Sequence, residues 1–245
     1  MDERELQQRL SRISTQWTMM RDAHRAQATN AGPARGELVQ RYLPAVYRYL
    51  LAVVRNADLA DELCQEFALK FLGGEFHRAD PERGRFRDYV KSVIFNLVRS
   101  YHRNRGKWPA ALPDQVGEQS PETDDDTTFA GEWREEVLNQ TWQALEQQQS
   151  NYFHVLKLRV ENPDLSSREL AERYATAQNK PMTAANVRKI LERAHARFAD
   201  LMVAEVAESL EAPAESSLRA ELQELDLLKY CRTALENWAS KNPAD

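Results

Sequence analysis

The sequence predicts an all-α protein: two helical domains joined by a flexible acidic linker, followed by a C-terminal helical extension. Three observations carry that prediction. The strong helix formers Ala, Leu, Glu, Gln and Arg dominate, while 245 residues hold only 8 Gly and 10 Pro, too few for a turn-rich β-sandwich or a doubly wound α/β fold. Apolar residues recur three and four apart through most of the chain, the spacing of one helix face. One stretch, 104–130, breaks that rhythm with Gly106, Pro109, Pro113, Gly117, Pro121 and an acidic run; such composition reads as a linker.

In chain order, residues 13–26 suit a short helix around Trp17 and Met20, and 30–36 (NAGPARG) read as a break. Residues 37–55 carry a stripe of Leu38, Tyr42, Val46, Leu50 and Val53–Val54, with Pro44 as a kink or first-turn residue. Residues 58–72 place Leu59, Leu63, Phe67 and Phe71 four apart, opposite the polar Asp58, Asp61, Glu62 and Gln65, and Gly73–Gly74 end the helix. A polar loop, 75–85, precedes a helix over 86–103 with Val90, Val93–Ile94, Leu97 and Tyr101 inward.

Helical patterning resumes at 132 through Trp133, Leu138, Trp142, Leu145, Tyr152, Val155 and Leu156. Ser166–Glu169 has the Ser-x-x-Glu form of a capping box and opens a short helix that 175–182 (ATAQNKPM) break. Thr183 is a good N-cap for the next helix, with Val187, Ile190–Leu191, Ala194, Phe198 and Leu201–Met202 inward and Lys189, Arg193 and Arg197 outward. Beyond Pro213 one more amphipathic stretch, about 216–240, carries Leu218, Leu222, Leu225, Leu228 and Leu235. The expected division is 1–107, a linker at 108–131, 132–210, and an extension at 211–245.

With 42% apolar residues the chain can bury a core, yet no apolar run approaches the roughly 18 residues of a membrane span, and MDERELQQRL is too charged for a signal peptide. Cys64 and Cys231 lie far apart and outside any CxxC pattern, as expected of free thiols in a cytoplasmic protein.

The net charge of −5 averages over contrasting blocks. From Arg78 to Lys107 nine cations stand against three carboxylates. From Asp114 to Glu136 one cation stands against nine, and from Lys180 to Arg197 five stand against one. Two basic blocks around an acidic spacer fit two anion-binding modules; segregated charge on solvated helix faces fits equally well.

Motifs for catalysis are missing: there is no Gly-rich phosphate loop, GxSxG elbow or HExxH. His24, His77, His102, His154 and His195 stand alone, and Asp61, Glu62 and Glu66 lie on a polar helix face suited to solvent or a partner. No enzyme, metal or cofactor is expected.

The segments RYLPAVYRYLLAVVRNADLADELCQEFALKFL and GRFRDYVKSVIFNLVRSYHRNRGK carry three sub-motifs: Asp61–Phe67, Phe86-Arg87-x-Tyr89-Val90, and Asn96-Leu97-x-Arg99 leading to Tyr101 and Arg103. Together they resemble region 2 of bacterial RNA polymerase sigma factors of the extracytoplasmic-function (ECF) type. STQWTMM, ADPERGRFR and FADLMVAEVAESL are similar to an ECF-like subgroup frequent in planctomycetes. SSRELAERY and TAANVRKILERAHARF resemble the two helices of the region 4 helix-turn-helix, with ATAQNKPM in place of a short Gly-containing turn. Ser100 stands where such factors usually have an acid, and Tyr89 where many have Trp.

The resemblance implies a non-enzymatic initiation factor whose partners are core RNA polymerase and promoter DNA, double-stranded and melted; it leaves an anti-sigma factor open. It implies polymerase binding by Asp61, Glu62, Gln65 and Phe67. It implies minus-ten contacts by Phe76, Phe86, Arg87, Tyr89, Asn96, Arg99, Arg103, Arg105 and Lys107, with loop 75–85 as the specificity wall. A flipped base needs stacking and hydrogen-bonding partners, although Phe86 and Tyr89 suit a core equally. Minus-thirty-five readers would be Thr183, Asn186, Lys189 and Arg193, with Arg188 and Arg197 on phosphates. Two alternatives stay open: a sigma-like mimic that sequesters an anti-sigma factor, and a helix-turn-helix regulator.

Overall fold

The computed structural model describes residues 4–11, 33–72, 86–104, 124–210 and 213–242. Among these the secondary structure is helical, without a strand: α1 (residues 4–11), α2 (Pro33–Val54), α3 (Ala57–Leu72), α4 (Phe86–Asn104), α5 (Asp124–Gln148), α6 (Ser150–Glu161), α7 (Ser167–Gln178), α8 (Ala184–Glu208), α9 (Glu215–Glu224) and α10 (Leu228–Lys241). The expected helix at 13–26, Gly73–Gly74 and loop 75–85 lie outside the described residues. The chain divides into two compact units, Met1–Glu136 and Val137–Asp245.

In the first unit the expected break at 30–36 ends early. Pro33 opens α2, and its fixed φ suits a first helical turn, where a missing N–H has no intrahelical partner to lose. Pro44 lies inside α2. The turn into α3 is two residues long. Arg55 takes the left-handed conformation (φ 51°), and the Asn56 side chain accepts from the Leu59 N–H at 2.9 Å, capping α3. The apolar stripes then meet: Tyr42, Val46 and Leu50 of α2, Leu63 and Phe67 of α3, and Val90, Ile94 and Leu97 of α4 are all buried.

The expected linker differs at its C-terminal end. Residues 124–131 are helix, continuous with 132–148. The cause is an apolar pair four apart, Phe129 and Trp133, which the neighbouring acidic run obscures. Trp133 stacks on Tyr42 with ring centroids 4.1 Å apart, and Phe129 meets Tyr49 edge-on at 5.1 Å. Arg48 of α2 reinforces the seam, with Nε donating to Glu132 and Nη2 to Glu136, each at 2.9 Å. The unit boundary therefore falls inside α5. Residues 108–123 lie outside the described residues.

In the second unit, the latter half of α5 carries Trp142 and Leu145 into a core with Phe153, Val155, Leu156, Leu170, Tyr174, Val187, Leu191 and Ala194. Trp142 packs on Phe198 at 4.7 Å and edge-on to Phe153 at 5.9 Å. The single stretch expected at 216–240 is two helices. Asp226 adopts φ 53°, a left-handed break, and the Leu227 N–H returns to the Leu222 carbonyl at 2.8 Å, the closure that ends a helix. Both helices pack on α8. Leu218, Leu222, Leu225, Cys231 and Leu235 are buried, as are Met202, Val203 and Val206 of α8, and the Cys231 and Met202 sulfurs lie 3.4 Å apart.

Candidate functional site

Three helix faces carry the expected site residues. The first is on α3. Leu63, Cys64 and Phe67 turn into the core, leaving Glu62, Gln65, Glu66 and Leu69 exposed in one stripe. Phe67 is only 1% exposed, so its expected place in a partner contact is corrected: it is a core residue, as its four-residue spacing with Leu63 and Phe71 dictates. Asp61 is also corrected from an open surface residue to a buried one, 8% exposed. It lies at the edge of the polar face, where Arg9 of α1 covers it with Nη1 donating to Oδ2 at 2.8 Å. Its charge reaches inward: burial first, then the Asp61 carboxylate, raises the pKa of Tyr47 and pushes the Cys64 thiol well above its ordinary range. Burial also pushes the Cys231 thiol, up to about 11, so both free cysteines are poor nucleophiles. Sequence reading missed Arg9, placed Glu66 on this polar face without counting it among the polymerase-binding residues, and did not assign Leu69. The spacing 62–65–66–69 was available for the last two, but Leu69 (49% exposed) reads as core until the packing is known.

The second face is on α4. Ser92, Asn96, Arg99 and Arg103 are exposed and follow at intervals of three and four, so they share one side of the helix. Arg87 departs from the expected phosphate-contacting set. It is buried, 6% exposed, with Asp88 at 4.0 Å, one helical position after Phe86 and facing away from the Asn96 row. The backbones of Phe86 and Tyr89 lie in the first turn of α4, their side chains outside what is described. Phe76, Arg105 and Lys107 lie outside the described residues.

The third face is on α8, and its local chemistry follows from the sequence. Ser166 Oγ accepts from the Glu169 N–H at 3.3 Å while the Glu169 carboxylate accepts from the Ser166 N–H at 2.8 Å, closing the capping box of α7. Those bonds to Ser166 lower the Glu169 pKa. Arg159 donates to the Leu165 carbonyl at 2.6 Å and the Pro163 carbonyl at 3.1 Å, fixing the preceding loop. The Tyr174 hydroxyl donates to Asn151 Oδ1 at 2.7 Å, fixing α7 on α6.

The turn between α7 and α8 is shorter than ATAQNKPM suggests. Residues 175–178 stay helical, and Asn179 takes the left-handed conformation (φ 49°) that glycine usually supplies. Thr183 Oγ1 accepts from the Asn186 N–H at 3.2 Å; this expected reader is a helix cap. On α8 itself, Asn186, Lys189 and Arg193 form one exposed row, with Arg188, Glu192 and His195 beside it. Arg197 is half-buried and donates to Gln148 Oε1 at the end of α5, so it is already engaged. Lys180 is exposed in the turn.

Among the described residues, no helix is long and apolar enough to cross a membrane, and no group of His, Cys, Asp and Glu is placed to hold a metal ion.

Against known families, residues 38–107 match the model of sigma-70 region 2. The match takes in α3, α4 and α2 from residue 38 onward, and ends before α5. No curated protein matches the chain, and no solved structure does.

Proposed function

We propose that this chain is a sigma factor of the ECF type, a non-enzymatic cytoplasmic protein that binds core RNA polymerase and directs promoter recognition, melting and initiation. The observation that carries the reading is the sigma-70 region 2 match over 38–107, the stretch that forms α2–α4. In this reading the α3 stripe Glu62, Gln65 and Glu66, with Leu69 at its end, docks on the polymerase: carboxylates and an amide supply orientation, and the exposed Leu supplies apolar contact.

The α4 row follows DNA. Arg99 and Arg103 neutralise phosphates, and Asn96 offers both a donor and an acceptor to an unstacked base. Catching that base offsets an unstacking cost of a few kcal/mol. In the second unit, α7 and α8 act as a helix-turn-helix, and the exposed row Asn186, Lys189 and Arg193 near the start of α8 reads base edges in the major groove. Such exposed cations are useless to a mimic that only sequesters an anti-sigma factor, and an isolated repressor has no need of the polar α3 stripe.

The test is co-purification of the full chain with core RNA polymerase. Glu62→Arg combined with Glu66→Arg reverses charge on exposed positions and spares the core. Binding should fall at least about tenfold, the effect expected when complementary charges become like ones. Undiminished binding by a folded double variant contradicts the assignment of α3.

A further inference from the structure

α1 lies eight residues long over the acidic edge of α3. Arg9 Nη1 donates to Asp61 Oδ2 at 2.8 Å and to Asp58 Oδ1 at 3.2 Å, Nη2 donates to Asp58 Oδ1 at 3.3 Å, and Nε pairs with Glu5 at 3.4 Å. One guanidinium thus bridges two carboxylates three residues apart, a fork geometry that Lys cannot reproduce. Asp58 keeps its side chain almost wholly in water while Asp61 is buried beneath the clasp. The bridge spans 52 residues of sequence, so α1 reaches α3 by folding back.

We propose that α1 is an internal competitor for the polymerase-facing side of α3. This rests on the reading of α3 as the polymerase-docking helix. Arg9 holds Asp58 and Asp61, the carboxylates that border the Glu62–Glu66 docking stripe, and they extend that stripe as free acceptors for a cationic group of the polymerase only when the clasp opens. The construction favours opening. An eight-residue helix is below the length that is stable alone in water, so α1 is helical only while seated. Its grip joins the half-buried Leu6 and Leu10 to an ion pair whose Arg9 side chain is one-fifth exposed, and salt weakens the ionic part. A partner that binds only the open form has its apparent affinity reduced by the fraction of open molecules.

The test is titration of fluorescently labelled full chain with core RNA polymerase. Arg9→Ala should tighten binding by about three- to tenfold, the gain when an open fraction of about one-tenth to one-third becomes all of the population. Arg9→Lys, which keeps the charge and loses the fork, should fall between Arg9→Ala and wild type. Raising salt should narrow the gap between wild type and Arg9→Ala. Unchanged or weaker binding by Arg9→Ala overturns the proposal. Arg9→Lys gives the same reading if the alanine variant does not fold: no tightening overturns the clasp. Glu62→Arg, tested alongside, keeps the two ideas apart. If it weakens binding while Arg9 variants do nothing, α3 docks the polymerase and α1 is no competitor; if it changes nothing, the docking assignment itself fails.

Discussion

The polar faces of α3 and α8 are alike in sequence and different in the fold. Each lies opposite a regular apolar stripe. On α3 the acidic edge is met by the chain's own Arg9, and Asp61 ends up buried. On α8 the row Asn186, Lys189 and Arg193 stays exposed, and the engaged cation is Arg197, one turn further on, against Gln148. The lesson concerns the edges of amphipathic helices. A residue at the centre of the polar stripe, such as Glu62 or Lys189, stays in water, whereas one at the boundary, such as Asp61 or Arg197, is within reach of whatever packs alongside.

The two faces also differ in how they are supported. The α3 edge is covered by an ionic contact, whereas α8 is backed by the apolar seat of α9 and α10. The sharpest way to break that contrast is Leu222→Ala. Leu222 is fully buried, and truncating such a residue costs about 2–5 kcal/mol through lost burial and the cavity left behind. Thermal unfolding should show a large fall in the midpoint of the second unit with polymerase binding by the first retained. An unchanged midpoint would mean that α9 is an ornament rather than part of the unit.

Arg193→Ala probes the open face directly. Promoter affinity should fall by about 1–3 kcal/mol if Arg193 makes a specific base contact, and Arg197→Ala, already tied to Gln148, should cost less. Equal losses in a footprinting titration would erase the distinction between the centre and the edge of the face.

Ser166→Ala is a smaller effect, about 1 kcal/mol for loss of an N-cap. It carries a pH signature. Bonding to Ser166 holds the Glu169 carboxyl below its ordinary range, so its contribution is complete above the unfolded-state value and is lost as pH falls through the lower folded value. Denaturant titrations over the acidic range should show wild type losing this increment and Ser166→Ala losing a smaller one, since its backbone N–H still donates to the Glu169 carboxylate. Smallest of all is the effect of Arg9→Ala on stability. Arg9 is the group that covers Asp61, so Arg9→Ala opens that carboxylate to water instead of leaving it buried and unpaired, and the unfolding midpoint of the first unit should barely move even while polymerase binding changes.

Much of this arrangement was legible in the residues. The four-residue spacing of Leu63, Phe67 and Phe71 located α3 and its buried side, and Ser166 and Thr183 marked the starts of α7 and α8 because a hydroxyl cap is a local signal. Long-range packing accounts for the misses. Phe129 and Trp133 lie in or beside an acidic, proline-led stretch and become helix core only because Tyr42 and Tyr49 wait on α2. Asn179 and Asp226 take left-handed conformations that glycine would have advertised and they do not. Asp61 carries no mark of its burial, since Arg9 lies 52 residues away and the short, charged α1 offers only two apolar residues, Leu6 and Leu10, as a helical signal.

The measurement that bears most directly on the central claim is promoter-specific transcription by core RNA polymerase reconstituted with the full chain, using a library of randomised promoters. The wild-type chain should start transcripts at defined sites sharing an upstream and a downstream element. Glu62→Arg should lose them by failing to join the polymerase, and Arg193→Ala should lose them while still joining it. A wild-type chain that leaves the polymerase without promoter-specific starts, or variants that transcribe as wild type does, would contradict the account.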